Sequence, residues 1–229
     1  MACKETKTAV VLLSGGLDSS TALAWAIKDQ GWQCHALAFD YGQRHRVELL
    51  SAKKIAHSLC ATSYHELAVD LRSIGGSALT DHIDVPRDAH ASKDIPVTYV
   101  PARNMIFLSL AMALAETLAA TQLVIGANVV DYSGYPDCRP DFLASFASTA
   151  NLGTKWGREG QGISVVAPLI TMKKSEIISL GLKLGVDYSL THSCYSPAMD
   201  GTACGHCDSC YYRRQGFQTL NQADPSQGG

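Results

Sequence analysis

The chain predicts an α/β fold, a parallel five-stranded sheet with helices on both faces, carrying a small C-terminal metal-binding lobe. Three observations predict it. Apolar runs at 9–13, 34–39, 64–69, 122–127 and 163–166 alternate with stretches of helical spacing, the order expected of parallel strands joined by helical crossovers. The string Ser14-Gly15-Gly16-Leu17-Asp18-Ser19-Ser20 stands where the first strand should turn into a helix. Four cysteines, Cys194, Cys204, Cys207 and Cys210, crowd one stretch near the C-terminus.

Residues 9–13 are uninterruptedly apolar, as a strand covered on both faces should be. Downstream, 21–27 supplies good helix formers with Leu23, Ala26 and Ile27 on one side. The loop between them therefore opens a helix, whose first N–H groups lack intrahelical acceptors and point at whatever lies in front. Adjacent glycines let the backbone approach an anion, and Ser14, Ser19 and Ser20 add hydroxyl donors. A carboxylate at Asp18 suits phosphates accompanied by Mg²⁺. No lysine lies between Thr8 and Ile27, so this is not a Walker A loop.

The second strand, 34–39, ends at Asp40-Tyr41-Gly42, and 46–59 continues as a helix with Leu49, Leu50, Ile55 and Ala56 on a mixed face. After a third strand at 64–69, the stretch 73–96 loses periodicity and reads as a lid or a disordered loop. Residues 103–120 form the clearest helix, with Ile106, Leu110, Ala113, Leu114, Thr117 and Leu118 expected against the sheet. Further helices are predicted at 139–151, where Pro140 fits the first turn, and at 173–184, which Gly185 ends. The tail, 225–229, should fray. Residues 1–185 are assigned to the nucleotide-binding α/β domain, and 186–229 to the four-cysteine lobe and its helix.

A chain of 229 residues with 46% hydrophobic content suffices for one core. The formal charge of −2 offers no basic field for general nucleic-acid binding, which favours a small-molecule substrate. The N-terminal apolar run is too short for a signal peptide and 105–115 too short to span a bilayer, so a soluble, cytoplasmic protein is expected, with no membrane partner. The eight cysteines should then be mostly reduced. Cys3, Cys34, Cys60 and Cys138 are scattered and read as small buried or surface residues. The spacing C-x9-C-x2-C-x2-C from Cys194 supplies enough thiolates for a tetrahedral site. Zinc fits it; an iron–sulfur cluster is the alternative. With four thiolates present, His192 and His206 read as bystanders and the metal as structural.

Ligands of a parallel sheet lie outside the carboxyl ends of its strands, which selects the 14–20 loop, Asp40-Tyr41-Gly42 and the segment 126–139 as walls of one cleft. Tyr132 or Tyr135 could stack a flat heterocycle there, and a carboxylate of the segment could accept the paired N–H groups of a guanine-like edge. The loop resembles that of the N-type ATP pyrophosphatases, which cleave ATP to AMP and pyrophosphate. Together with Phe39-Asp40-Tyr41-Gly42-Gln43-Arg44-His45, Tyr99-Val100-Pro101-Ala102-Arg103-Asn104, the segment 126–142 and the four cysteines, it makes the chain resemble the 7-cyano-7-deazaguanine synthases of queuosine biosynthesis.

That resemblance implies an adenine nucleotide alpha hydrolase-like fold and a ligase forming C–N bonds from 7-carboxy-7-deazaguanine, ammonia and ATP. It implies nucleotide binding by Leu13, Ser14, Gly15, Gly16, Leu17, Asp18, Ser19, Ser20, Asp40 and Tyr41, and catalytic roles for Asp18, Arg103 and Lys173. Arg103, Asn104, Asp131, Tyr135 and Asp137 would contact substrate, and the four cysteines would hold one structural Zn²⁺. Mg²⁺ would accompany ATP, free ammonia would be the nitrogen donor, and the protein would be a homodimer. Two other readings share these motifs: a transfer-RNA thiolation or lysidine-type enzyme, and a non-enzymatic zinc module with a nucleotide switch.

Overall fold

The computed structural model describes residues 6–43, 47–88, 94–130 and 134–227. Strands β1 (Thr8–Leu12), β2 (Gln33–Asp40), β3 (Ser63–Ala68), β4 (Gln122–Val124) and β5 (Ser164–Val166) form one parallel sheet in the order β3-β2-β1-β4-β5. Its register is fixed at the centre, where Ala9 pairs with Cys34 on one side and with Gln122 on the other. The order reverses between β1 and β4, so their carboxyl ends diverge and leave a crevice.

Helices cover both faces. Ala9, Val11 and Leu13 of the central strand and its end face a core built with α1 (Leu17–Ala24), α2 (Val47–Ser58), α6 (Lys174–Lys183) and α7 (Asp208–Thr219). Val10 and Leu12 face the other core, with α3 (Arg103–Thr117) and α4 (Pro140–Gly153). A short α5 (Lys155–Arg158) follows α4. Burial on both faces explains why β1 reads as a continuous apolar run rather than an alternating one. Among the described residues no helix is long and apolar enough to cross a membrane.

Three local expectations are corrected. The first helix begins at Leu17, within the stretch read as loop, because Gly16 takes an extended N-cap conformation and its carbonyl accepts the Ser20 N–H at 3.1 Å. That helix then loosens into a π-turn at Trp25–Asp29. On α3, Leu108, Ala111, Met112 and Ala115 are buried, whereas Ala113 and Thr117 are exposed and Ile106, Leu110, Leu114 and Leu118 only flank the core. A helix apolar nearly all round has the right period but no phase, so spacing cannot choose the buried face. The 73–96 stretch forms neither helix nor strand in its described part, yet it is packed: Ser77 and Ala78 are fully buried and the Ala78 N–H donates to Val97 O at 2.8 Å.

The C-terminal segment is joined to the sheet's helices by a buried seam. Tyr188 packs edge-on against Phe217 with ring centroids 5.7 Å apart, and its hydroxyl lies 2.7 Å from Thr21 Oγ1. Arg213, 4% exposed, donates to Thr191 Oγ1 and Tyr188 O and pairs with Asp224 at 2.8 Å. Gly181 leaves room for the Tyr188 ring, since a Cβ there would collide with its hydroxyl. Gly181→Ala should therefore lower stability by about 2 kcal/mol, read from urea unfolding of the purified protein.

Candidate active site

At the crevice between β1 and β4 lies a cavity of about 300 Å³. Leu13, Ser14, Gly16, Leu17, Asp18 and Ser19 line one wall. Gly15 and Ser20 are not in that wall; they shape the loop behind it. Gly15 has φ +84°, and a Cβ on it would lie 2.7 Å from Ala52 N and collide with Glu48 O, so only glycine lets the loop rest on the first turn of α2. Ser20 is fully buried and donates its hydroxyl to Gly16 O at 2.6 Å. Opposite, a Cβ on Gly126 would come within 2.9 Å of Ser19 Cα, so the end of β4 also presses on the loop.

The loop is braced from the C-terminal segment as well. His192 N–H donates to Gly15 O at 2.9 Å, and Leu17 N–H, at the start of α1, donates to Ser193 Oγ at 3.1 Å. Asp18 in the first turn accepts Lys174 Nζ on both carboxylate oxygens, at 2.8 and 2.7 Å. Lys173, expected to face the phosphates, is exposed at the N-cap of α6 and does not line the cavity, whereas Lys174 does. Helical phase separates the two lysines: Lys174 shares a face with the buried Ile177, Ile178 and Gly181, which carries it toward α1.

The opposite wall is aromatic and charged. Phe39 stacks on Phe107 with centroids 4.0 Å apart, and the Arg103 guanidinium sits 5.7 Å from the centre of the Tyr41 ring and bonds its hydroxyl. Asn104 follows Arg103 into the lining, and Tyr135 enters from the far loop with its hydroxyl 2.8 Å from Thr98 Oγ1. Glu48, unremarked in the sequence, faces the same cavity from the first turn of α2. Burial pushes its carboxyl up to about 7, against the opposing pull of Arg103. Burial, reinforced by the nearby Glu48 charge, lifts the Tyr41 phenol to about 12.

Not every expected residue reaches this cavity. Asp40 lies outside its lining and accepts Gly42 N–H at 3.3 Å. Asp137 is buried behind the wall, where it accepts Asn104 N–H at 2.9 Å and so caps α3; burial raises its pKa. Asp131 and Tyr132 fall outside the described residues. Asn128, within the 126–139 wall expected from the sequence, lines the cavity, as do Ser193 and Tyr195, which like Glu48 and Lys174 carried no such expectation. Glu48 carried one usable signal: the first turn of a helix entered from the carboxyl end of a cavity-facing strand.

The sulfur atoms of Cys194, Cys204, Cys207 and Cys210 all lie within 4.8 Å of one another, so these residues could hold a metal ion. Thiolates about 2.3 Å from a tetrahedral ion stand roughly 3.8 Å apart, inside that limit. Backbone N–H groups of Cys204, His206 and Cys207 donate to Cys194 Sγ and Cys204 Sγ at 3.2 to 3.4 Å, as they would to thiolates. His206 turns its Nδ1 to Asp88, 3.2 Å away, and so stands apart from the sulfurs.

Fold and site together define an α/β protein with a parallel sheet and a glycine-containing loop lining a cavity at the point where the strand order reverses. Residues 8–221 match the model of the family described as queuosine biosynthesis protein QueC, and the chain belongs to that family. It is 56% identical to a 7-cyano-7-deazaguanine synthase of Myxococcus xanthus, over 96% of each chain. The identity is 54% to the synthase of Hydrogenovibrio crunogenus, over 99% of this chain and 97% of that one. It is 55% to that of Pseudomonas fluorescens, over 97% and 98%. The structure of an NMN synthetase from Francisella tularensis is similar with a TM-score of 0.50 and 16% identity, over 96% of this chain and 79% of that one, a likeness of fold alone.

The capping geometry gives a test of Asp137 that needs no substrate. Asp137→Ala removes the acceptor at the start of α3 and should cost about 1–2 kcal/mol in urea unfolding, with Asp137→Asn costing less than half of that.

Proposed function

We propose that this protein converts 7-carboxy-7-deazaguanine and ammonia to 7-cyano-7-deazaguanine, consuming two ATP and releasing two AMP and two pyrophosphate. Membership of the family and the name borne by relatives of near-equal length support the reaction. One observation carries it to this chain's own residues: Arg103 faces the same cavity as the phosphate loop, so a carboxylate and a nucleotide can meet there. The transfer-RNA reading loses its support with the family assignment.

A carboxylate is a poor electrophile, and its oxygen becomes a leaving group only when bonded to phosphorus. Arg103 presents a planar fork to the substrate carboxylate, fixing one oxygen toward the α-phosphorus of ATP. The N–H groups at the start of α1, with Ser14 and Ser19, take the pyrophosphate oxygens, and Lys174 offsets their charge from above the loop. Mg²⁺ bound beside Asp18 would neutralise charge on the departing pyrophosphate. Ammonia displaces the first AMP to give the amide. The amide oxygen is adenylated in its turn, and loss of the second AMP leaves the nitrile. Tyr135 and the Phe39–Phe107 pair offer flat apolar surface for the base.

Asp131 remains our candidate for the guanine-like edge, and the cytoplasm our expected compartment. The four cysteines hold one structural zinc in this reading, fastening the segment that carries His192 and Ser193 against the loop. A homodimer is expected from the family resemblance and is checked by light scattering.

Purified protein given Mg·ATP, ammonium and 7-carboxy-7-deazaguanine should yield the nitrile with two AMP per base by mass spectrometry; absence of substrate-dependent AMP would refute the reading. Arg103→Lys should lower kcat/KM for the carboxylate substrate about 100-fold while leaving the fold intact, and unchanged turnover would remove Arg103 from its role. Metal analysis should find one zinc per chain; iron with acid-labile sulfide would displace zinc. Stripping the metal should lower the melting temperature and weaken ATP binding together.

A further inference from the structure

Among the charged groups lining the cavity, Glu48 is given no work by the proposed reaction; Arg213, given none either, is held in its ion pair with Asp224. Glu48 stands on α2 beside the loop, and its backbone carbonyl lies against Gly15, so its place relative to the phosphate site is fixed by main-chain contact. Arg103 from α3 is near enough for its charge to act on Glu48, and Tyr41 from the end of β2 is near enough to feel the Glu48 charge. Asp18 and Lys174, the other charged pair lining this cavity, are bonded to each other. The loop supplies N–H and O–H donors, and Arg103 is a permanent cation. The chemistry also needs a proton acceptor, because each of its two C–O cleavages strips protons from nitrogen and ammonia at neutral pH is mostly ammonium.

Resting on the reaction above, we propose that the Glu48 carboxylate is the proton acceptor for nitrogen at both stages. In the first, ammonium gives one proton to Glu48, and the freed lone pair forms the C–N bond at the adenylated carboxyl carbon. The C–O bond breaks with its electron pair passing to AMP, whose phosphate oxygen takes the surplus proton of the added nitrogen. Glu48 then returns its proton to solvent. In the second stage, the adenylated amide loses one N–H proton to Glu48 and one to the departing phosphate, the C–O pair again leaves on AMP, and the C≡N bond forms. A carboxyl lifted by burial to about 7 is matched to proton exchange near neutral pH.

Adenylation by itself removes no proton from nitrogen, which makes the two roles separable. Glu48→Gln keeps the shape of the side chain. With 7-carboxy-7-deazaguanine and labelled pyrophosphate, it should retain substrate-dependent pyrophosphate–ATP exchange within about threefold of wild type, while nitrile formation from ammonium falls about 100-fold or more. Hydroxylamine, largely unprotonated at neutral pH, should bypass the first stage and give the hydroxamate at a rate within about threefold of wild type. Glu48→Asp should recover part of the lost nitrile formation. Parallel loss of exchange and nitrile would overturn the proposal and make Glu48 part of the adenylation or loop-packing machinery. So would a nitrile rate close to wild type, or a hydroxamate rate that falls as far as the nitrile rate. If wild type itself shows no substrate-dependent exchange, the reaction assigned above fails, and the role of Glu48 in it fails with it.

Discussion

The contact between the phosphate loop and the first turn of α2 is the constraint on which the rest of the site depends. Gly15, at φ +84°, lies so close to Glu48 O and Ala52 N that no side chain fits between them. That closeness sets Glu48 beside the start of α1, where Leu17, Asp18 and Ser19 line the cavity. Gly126 repeats the device from the other side, bringing the end of β4 against Ser19. Two strands and two helices thus converge on a few main-chain atoms, and the loop is held by packing rather than by flexible side chains.

The C-terminal segment belongs to this same construction. Thr191 is clamped by Arg213, His192 and Ser193 bond the loop directly, and Cys194 opens the cysteine cluster one residue later. A metal fastening those sulfurs would therefore act at the loop through a chain of adjacent residues. The Arg213–Asp224 pair is buried at both ends, and Thr191 and Tyr188 each accept a further guanidinium proton. Such a pair is worth more for fixing one arrangement than for net stability.

Much of this was legible in the residues. The parallel sheet followed from continuous apolar runs, a cavity-lining loop from SGGLDSS after a buried strand, and the four-cysteine cluster from its spacing. What escaped depends on rotation and on distance. Lys173 and Lys174 are indistinguishable as letters, and only the phase of α6 against α1 sends the second toward Asp18. The buried face of α3 could not be chosen because its composition is apolar nearly all round. Asp137 reads in the sequence as a substrate ligand and in the structure accepts a helix N–H, while Glu48, which nothing in the sequence singles out, lines the cavity. Both were decided by tertiary contacts made from far along the chain.

The central claim, that one cavity adenylates first a carboxylate and then an amide, is tested most directly by following oxygen. Substrate labelled with ¹⁸O at both carboxylate positions should deliver one labelled oxygen to each of two AMP molecules per nitrile formed, with none in pyrophosphate. Label appearing in pyrophosphate or water, or in only one AMP per nitrile, would contradict it.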